Sequence, residues 1–99
     1  MKPQFLHERK MSQHILLFVD LSRKGDCDSD VILESLREIG IKSKDVEFHN
    51  ICENKYYVKF NNLTDSEFED VQQNIKTPYD KVPYPQSLKH YGVHIPSDW

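Results

Sequence analysis

The chain has 99 residues and a net charge of -3 at pH 7, with 13 Lys and Arg residues against 16 Asp and Glu residues. This length is typical of one domain that folds without disulfide or metal support, and the charge excludes a general attraction of the whole protein to phosphate or anionic lipid. Cys27 and Cys52 are far apart and have no CxxC spacing, so we expect neither a disulfide framework nor a zinc knuckle, and the cytoplasm is the expected location. The longest apolar run, 15–19, is too short to span a bilayer, and no membrane partner is expected.

The N-terminal third begins with a polar arm and continues into a strand. Residues 1–13 lack periodicity, which is typical of a flexible arm. The letters "HILLFVDL" at 14–21 are rich in β-branched and aromatic residues and predict a buried strand. Alternation gives it one wholly apolar face and one mixed face, namely Ile15, Leu17, Val19 and Leu21 against His14, Leu16, Phe18 and Asp20. We expect helices to cover the apolar face and the mixed face to lie on the other side.

A helix and a hairpin follow. Apolar side chains recur at helical spacing over 31–39, and Gly40 follows as a terminating glycine, which predicts a helix there. The segments "VEFHNI" at 46–51 and "KYYVKF" at 55–60 predict two strands joined by a short hairpin. Alternation in the second of them places Tyr56, Val58 and Phe60 on one face and Lys55, Tyr57 and Lys59 on the other.

The strongest local signal is "LTDSEF", at 63–68. Thr64 as N-cap with Glu67 three residues later is a capping box, which predicts that a helix begins at Thr64 or Asp65. Pro78 marks the end of this helix, because proline has no backbone N–H and cannot continue it.

The order strand, helix, strand, strand, helix predicts an α+β fold of the ferredoxin-like type. This is a split βαββα(β) sandwich, in which an antiparallel sheet carries two helices on one face. A closing fourth strand is expected at 89–95, "KHYGVHI". The predicted organisation is thus the arm at 1–13, a core domain at 14–76, and a C-terminal segment at 77–99 that is rich in proline and aromatic residues and includes this strand.

Two strand motifs resemble those of the RNA recognition motif. Leu17-Phe18-Val19 is similar to the hexapeptide of that family. Tyr57, Val58 and Phe60 match its octapeptide. Residues 53–56 depart from the octapeptide, so that its glycine and one of its two stacking aromatics are missing in this chain. The resemblance covers 14 to about 76 in the order of elements. It implies single-stranded RNA or DNA binding on an open sheet face, with bases stacked on Phe18 and Tyr57, phosphates near Lys55 and Lys59, and His14 on the same binding face.

A protein partner is the alternative, and the residues support it equally. Tyr84, Tyr91 and Trp99 belong to the side-chain types that are enriched in protein interfaces, so the C-terminal segment either packs over the sheet or presents these aromatics to a partner. The small size and composition are also typical of a phage or mobile-element regulator or inhibitor. Short similarities to ACT-type domains ("LREIGI") and to small CRISPR-associated nuclease-like proteins (a strand ending in Asp20) leave homodimerisation open, because both families work as dimers.

No enzymatic activity, cofactor or metal is predicted. The histidines and the cysteine that superficially resemble a zinc set include His49 and Cys52, which would face opposite ways on one strand. Catalytic triads assemble only in space, so the sequence names no catalytic residue. We therefore expect a protein that acts by binding.

Overall fold

The computed structural model describes residues 14–22 and 27–99, and these form one antiparallel sheet with helices on both faces. The elements, in chain order, are β1 (His14–Val19), α1 (Ser29–Glu38), a 3-10 turn (Ser43–Asp45), β2 (Val46–Cys52), β3 (Lys55–Phe60), α2 (Asp65–Asn74), β4 (Asp80–Pro83) and α3 (Gln86–Tyr91). The strand order is β2-β3-β1-β4, and every neighbouring pair is antiparallel. The predicted arm at 1–13 lies outside the described residues. None of the helices in the described part of the chain is long and apolar enough to cross a membrane.

Helix α1 confirms the prediction for 31–39 and begins two residues earlier. Asp28 is its N-cap, and the Asp28 carboxylate accepts the Asp30 N–H at 2.8 Å. The helix ends in a Schellman motif, in which Gly40, with a φ of 91°, and the residue after it return their N–H groups to carbonyls of the last turn. The left-handed φ explains why glycine stands at this turn.

Helix α2 begins as the sequence predicts. The Thr64 hydroxyl accepts the Glu67 N–H at 3.2 Å, and the Glu67 carboxylate accepts the Thr64 N–H at 2.9 Å. Both halves of the capping box are therefore formed, and the helix ends at Asn74, ahead of Pro78.

The predicted fourth strand at 89–95 is wrong. The fourth strand is β4, which pairs with β1, whereas α3 occupies 86–91 and ends at Gly92, whose φ is 67°. Strand β4 has only four residues and ends in a proline, so alternation gave no signal for it. Proline is tolerated there because β4 is an edge strand.

The predicted faces of β1 are also inverted. Leu17 pairs with Tyr57 and Phe18 pairs with Tyr56, and residues directly opposite each other share a face. The even-numbered residues of β1 therefore face α1 and α2, while the odd-numbered ones face the C-terminal segment. Leu21 lies beyond the end of β1 and is 61% exposed. The assignment failed because β1 is covered on both sides and is apolar on both, so its alternation does not show which face meets the helices.

Candidate partner-binding site

The sheet face away from α1 and α2 is covered by the C-terminal segment. Buried side chains of β1 and β3 on this face pack against the half-buried Ile51, Tyr84, Tyr91, Val93, Ile95 and Trp99. The Tyr57 hydroxyl donates to the Val93 carbonyl at 2.8 Å and lies 3.0 Å from the Ser87 hydroxyl. Because Tyr57 has one proton to donate, Ser87 is the donor in the second bond. Burial raises the pKa of Tyr57, which therefore stays protonated at neutral pH.

The residues predicted to stack bases do not share one open face. Phe18 and Tyr57 lie on opposite faces of the sheet, and both are 0% exposed. His14 is also on the helix face, where its ring stacks on Phe68 with centroids 4.8 Å apart and its Nε2 lies 2.7 Å from Asp65 Oδ1. Phe18 and His14 were predicted on the sheet face away from the helices, and this prediction is wrong. Tyr57 lies on that face as predicted, but it is buried rather than open.

The two lysines predicted to contact phosphates lie against aromatic rings of the C-terminal segment. Lys55 Nζ is 5.7 Å from the centroid of the Tyr91 ring, and Lys59 Nζ is 5.9 Å from that of Trp99. At such distances a cation is attracted to the face of a ring by about 0.5–1 kcal/mol when the site is exposed. Both lysines therefore help to hold the covering segment on the sheet.

The aromatic residues predicted to meet a partner protein pack within the chain. Tyr84 lies edge-on to Tyr57 with centroids 6.4 Å apart, and the Tyr91 hydroxyl donates to Asp80 at 3.2 Å. Trp99 lies edge-on to His49 at 6.0 Å. Of the two alternatives that the sequence left open, the segment thus adopts the first and covers the sheet.

A cleft of about 330 Å³ lies on the opposite side of the molecule, between the end of α1 and α2. Its lining combines five apolar residues, Ile39, Ile41, Phe60, Leu63 and Val71, with three acidic ones, Asp45, Glu67 and Asp70. No lysine or arginine is among the lining residues. The cleft therefore combines a hydrophobic surface with a negative electrostatic potential.

The sequence builds this cleft at two turns, one at the end of α1 and one before α2. The Schellman motif at Gly40 turns the chain away at the end of α1. Apart from the glycine and its two chain neighbours, no heavy atom lies within 4 Å of the position that a Cβ would take there. Leu63 precedes the N-cap of α2 and contributes the second wall together with Val71. These segments are far apart in the chain, and sequence reasoning assigned Glu67 to capping but assigned no role to Asp45 or Asp70, so the cleft was missed.

The three carboxylates of the cleft differ in their partners. Asp45 accepts a hydrogen bond from the Asn62 amide at 3.0 Å, and Glu67 is held in the capping box. Asp70 has no hydrogen-bond or ion-pair partner among the described residues. Asp70 also belongs to a helix with four acidic residues and no basic one. Its carboxylate is thus the one most available to a cation from outside.

No metal cluster accompanies these features in the described part of the chain. No group of three or more His, Cys, Asp or Glu residues there is arranged to hold a metal ion. Cys27 is buried, and its thiol donates to the Phe18 carbonyl at 3.8 Å. Burial, with the nearby Asp20 and Asp28 carboxylates, raises the pKa of Cys27 to about 12, so this thiol stays protonated at neutral pH.

Comparison of the chain with protein-family models, curated proteins and solved structures gave no match.

Proposed function

We propose that this chain is a small non-enzymatic protein of ferredoxin-like fold that acts by binding a partner protein in the cleft between α1 and α2. The strand order β2-β3-β1-β4, with α1 and α2 on one face, supports the ferredoxin-like arrangement. The observation that carries the function is the cleft itself, in which apolar and acidic side chains stand together without a basic residue.

The chemistry of the cleft selects its occupant. A volume of about 330 Å³ is at the lower end of the range for ligand pockets and suits one or two side chains rather than a large cofactor. The apolar lining favours a side chain such as Leu or Phe, and Asp45 and Asp70 favour a Lys or Arg beside it. The partner is therefore an amphipathic helix that presents apolar anchors flanked by basic residues, the mode in which a helix lays one face into a groove.

Single-stranded nucleic acid fits the described surface less well. Phosphates would meet the acidic lining of the cleft, and the sheet face that would stack bases is covered. Binding of RNA or DNA remains a prediction of the sequence, and an oligonucleotide titration tests it beside the peptide.

The probe for the proposal is a synthetic amphipathic helix with Leu along one face and Lys and Arg beside it. Titrated into isotope-labelled protein, it should shift the backbone NMR signals of Ile41, Leu63 and Val71. The Asp70→Lys variant should weaken binding about fivefold, because one exposed charge contact of about 1 kcal/mol is lost.

Two controls separate the cleft from general electrostatics. Glu69→Lys makes the same charge change on the neighbouring residue, which does not line the cleft, and it should leave the affinity nearly unchanged. A scrambled peptide of equal composition has no apolar face and should bind far more weakly. Equal losses in the two variants, or equal affinity for the scrambled peptide, would show that charge alone acts and would overturn the proposal. Binding of a single-stranded oligonucleotide in place of the peptide would transfer the function to nucleic acid.

A further inference from the structure

Strand β2 has an outer edge to which no strand of the described residues is paired, because it is the end strand of the order β2-β3-β1-β4. One hydrogen bond shows which residues of β2 direct their backbone groups toward β3 and which direct them away from it. The Asn61 N–H donates to the Asp45 carbonyl at 2.9 Å, immediately beyond the pair Val46↔Phe60. In an antiparallel ladder such a bond flanks a pair that is not itself hydrogen-bonded. Val46 therefore directs its N–H and C=O away from β3, and by alternation Phe48 and Asn50 do the same.

The two edges of the sheet are protected to different degrees. Edge strands are usually kept from pairing by short length, proline or lysine. Strand β4 has all three features, with four residues that include Lys81 and Pro83. Strand β2 has seven residues and none of them is Pro, Lys or Arg; its irregularity lies near its end, between Asn50 and Cys52. One edge is thus blocked and the other is open to another strand.

We propose that β2 pairs antiparallel with β2 of a second copy of this chain, with Phe48 opposite Phe48 of that copy, so that two sheets join into one. The outward backbone groups at 46, 48 and 50 would then form three hydrogen-bonded pairs. The inference does not rest on the proposed function, because the cleft and the outer edge of β2 share no residue.

The side chains on either side of Phe48 favour this register. Centring the pair on residue 47 would set Glu47 against Glu47, and centring it on residue 49 would set His49 against His49. Centring it on Phe48 sets Glu47 of each copy opposite His49 of the other. These two residues would form a non-hydrogen-bonded pair, in which side chains lie closer together than in a hydrogen-bonded pair. An imidazole N–H can donate a hydrogen bond to a carboxylate directly across the strands, whereas two carboxylates placed opposite each other repel. Glu47 and His49 are both exposed, and Glu47 already accepts a hydrogen bond from Asn61 at 3.1 Å, which holds it on that face.

The aromatic residue at the centre adds an apolar contact. Phe48 is half-buried on the face that carries α1 and α2, where it lies edge-on to Tyr56 with ring centroids 6.2 Å apart. Pairing in the proposed register brings the two Phe48 side chains side by side across the two-fold axis. Cross-strand aromatic pairs of this kind stabilise antiparallel sheets.

Disulfide trapping tests the register directly. In a Cys52→Ser background, which removes the exposed native thiol, the variants Glu47→Cys and His49→Cys are oxidised separately and as a mixture. The proposed register predicts a covalent dimer in the mixture and little in either sample alone. A dimer that forms equally in the Glu47→Cys sample alone or in the His49→Cys sample alone would indicate another register and overturn the proposal, as would the absence of any covalent dimer.

Sedimentation equilibrium of the full chain tests the association itself. The His49→Glu variant would set glutamates opposite each other in two pairs and should raise the dimer dissociation constant about tenfold. The Glu47→Lys/His49→Glu variant places opposite charges across the strands and should recover most of the affinity. His94→Glu makes the same charge change at an exposed position outside β2 and should leave association unchanged. A wild type that is monomeric at every concentration, or a double variant that fails to recover while its circular dichroism is native, refutes the interface.

Discussion

Tyr57→Phe is the most informative single change, because it removes one hydroxyl group from the contact between the sheet and the C-terminal segment that covers it. In the wild type the Tyr57 hydroxyl donates to the Val93 carbonyl at 2.8 Å and accepts from the Ser87 hydroxyl at 3.0 Å. Ser87 is 0% exposed, so water does not replace the lost acceptor, while Val93 is half-buried and its carbonyl can regain water. The ring itself stays in place and its apolar contacts are kept.

The magnitude follows from the Ser87 hydroxyl. Leaving one buried polar group without a partner costs about 1–3 kcal/mol. Loss of the bond to the Val93 carbonyl adds little to this cost, because water can replace the donor there. The free energy of unfolding should therefore fall by about 1–3 kcal/mol, and each 1 kcal/mol lowers the Tm of a domain of this size by about 4–8 °C.

Urea unfolding followed by circular dichroism and by fluorescence of Trp99, the only tryptophan, measures both the global loss and the release of the cover. Tyr56→Phe is the matched control, because the Tyr56 hydroxyl has no hydrogen-bond partner among the described residues. If Tyr57→Phe unfolds at the same urea concentration as the wild type, or if Tyr56→Phe is equally destabilised, the two hydrogen bonds do not fasten the segment.

The same hydroxyl makes the stability depend on high pH. Burial raises the pKa of Tyr57 above its ordinary value of 10.0, so the unfolded chain loses this proton more readily than the folded one. The contribution is fully present below about pH 10 and is lost as the pH rises through the folded-state pKa. Tyr57→Phe should reduce the alkaline loss of stability, and an unchanged alkaline profile would argue against a buried hydroxyl.

Three further outcomes are expected. Thr64→Ala should lower the free energy of unfolding by about 0.5–2 kcal/mol through loss of the N-cap, and an unchanged melting curve would contradict the capping box. Iodoacetamide at pH 8 should alkylate Cys52 in the folded chain and leave Cys27 unmodified, since Cys52 is exposed whereas Cys27 is buried with a pKa of about 12. Mass spectrometry of tryptic peptides measures the modification of each cysteine, and early modification of Cys27 would contradict its burial. Phe18→Ala should cost about 3–5 kcal/mol of stability as a core cavity, so a folded variant with native stability would show that Phe18 is not in the core.

Short-range features of this chain could be predicted from the sequence alone. The capping box at Thr64, the glycine turn at Gly40, the hairpin after β2 and the faces of β3 each depend on residues within a few positions of one another. Backbone propensity, capping and a clear polar and apolar alternation decide such features before the chain is compact. This is why both long helices, β2 and β3 were predicted within a few residues of their ends.

Tertiary structure alone decided which face of β1 meets the helices, where the fourth strand lies, and what covers the sheet. Strand β1 is apolar on both sides, so only its pairing of Leu17 with Tyr57 assigns its faces. Strand β4 is too short for its own sequence to specify it and exists because β1 offers it a partner edge. The cleft joins side chains from the end of α1, the end of β3 and α2, whose proximity is a long-range property of packing. Long-range contacts of this kind depend on how whole layers cover one another, and no local pattern of residues encodes that choice.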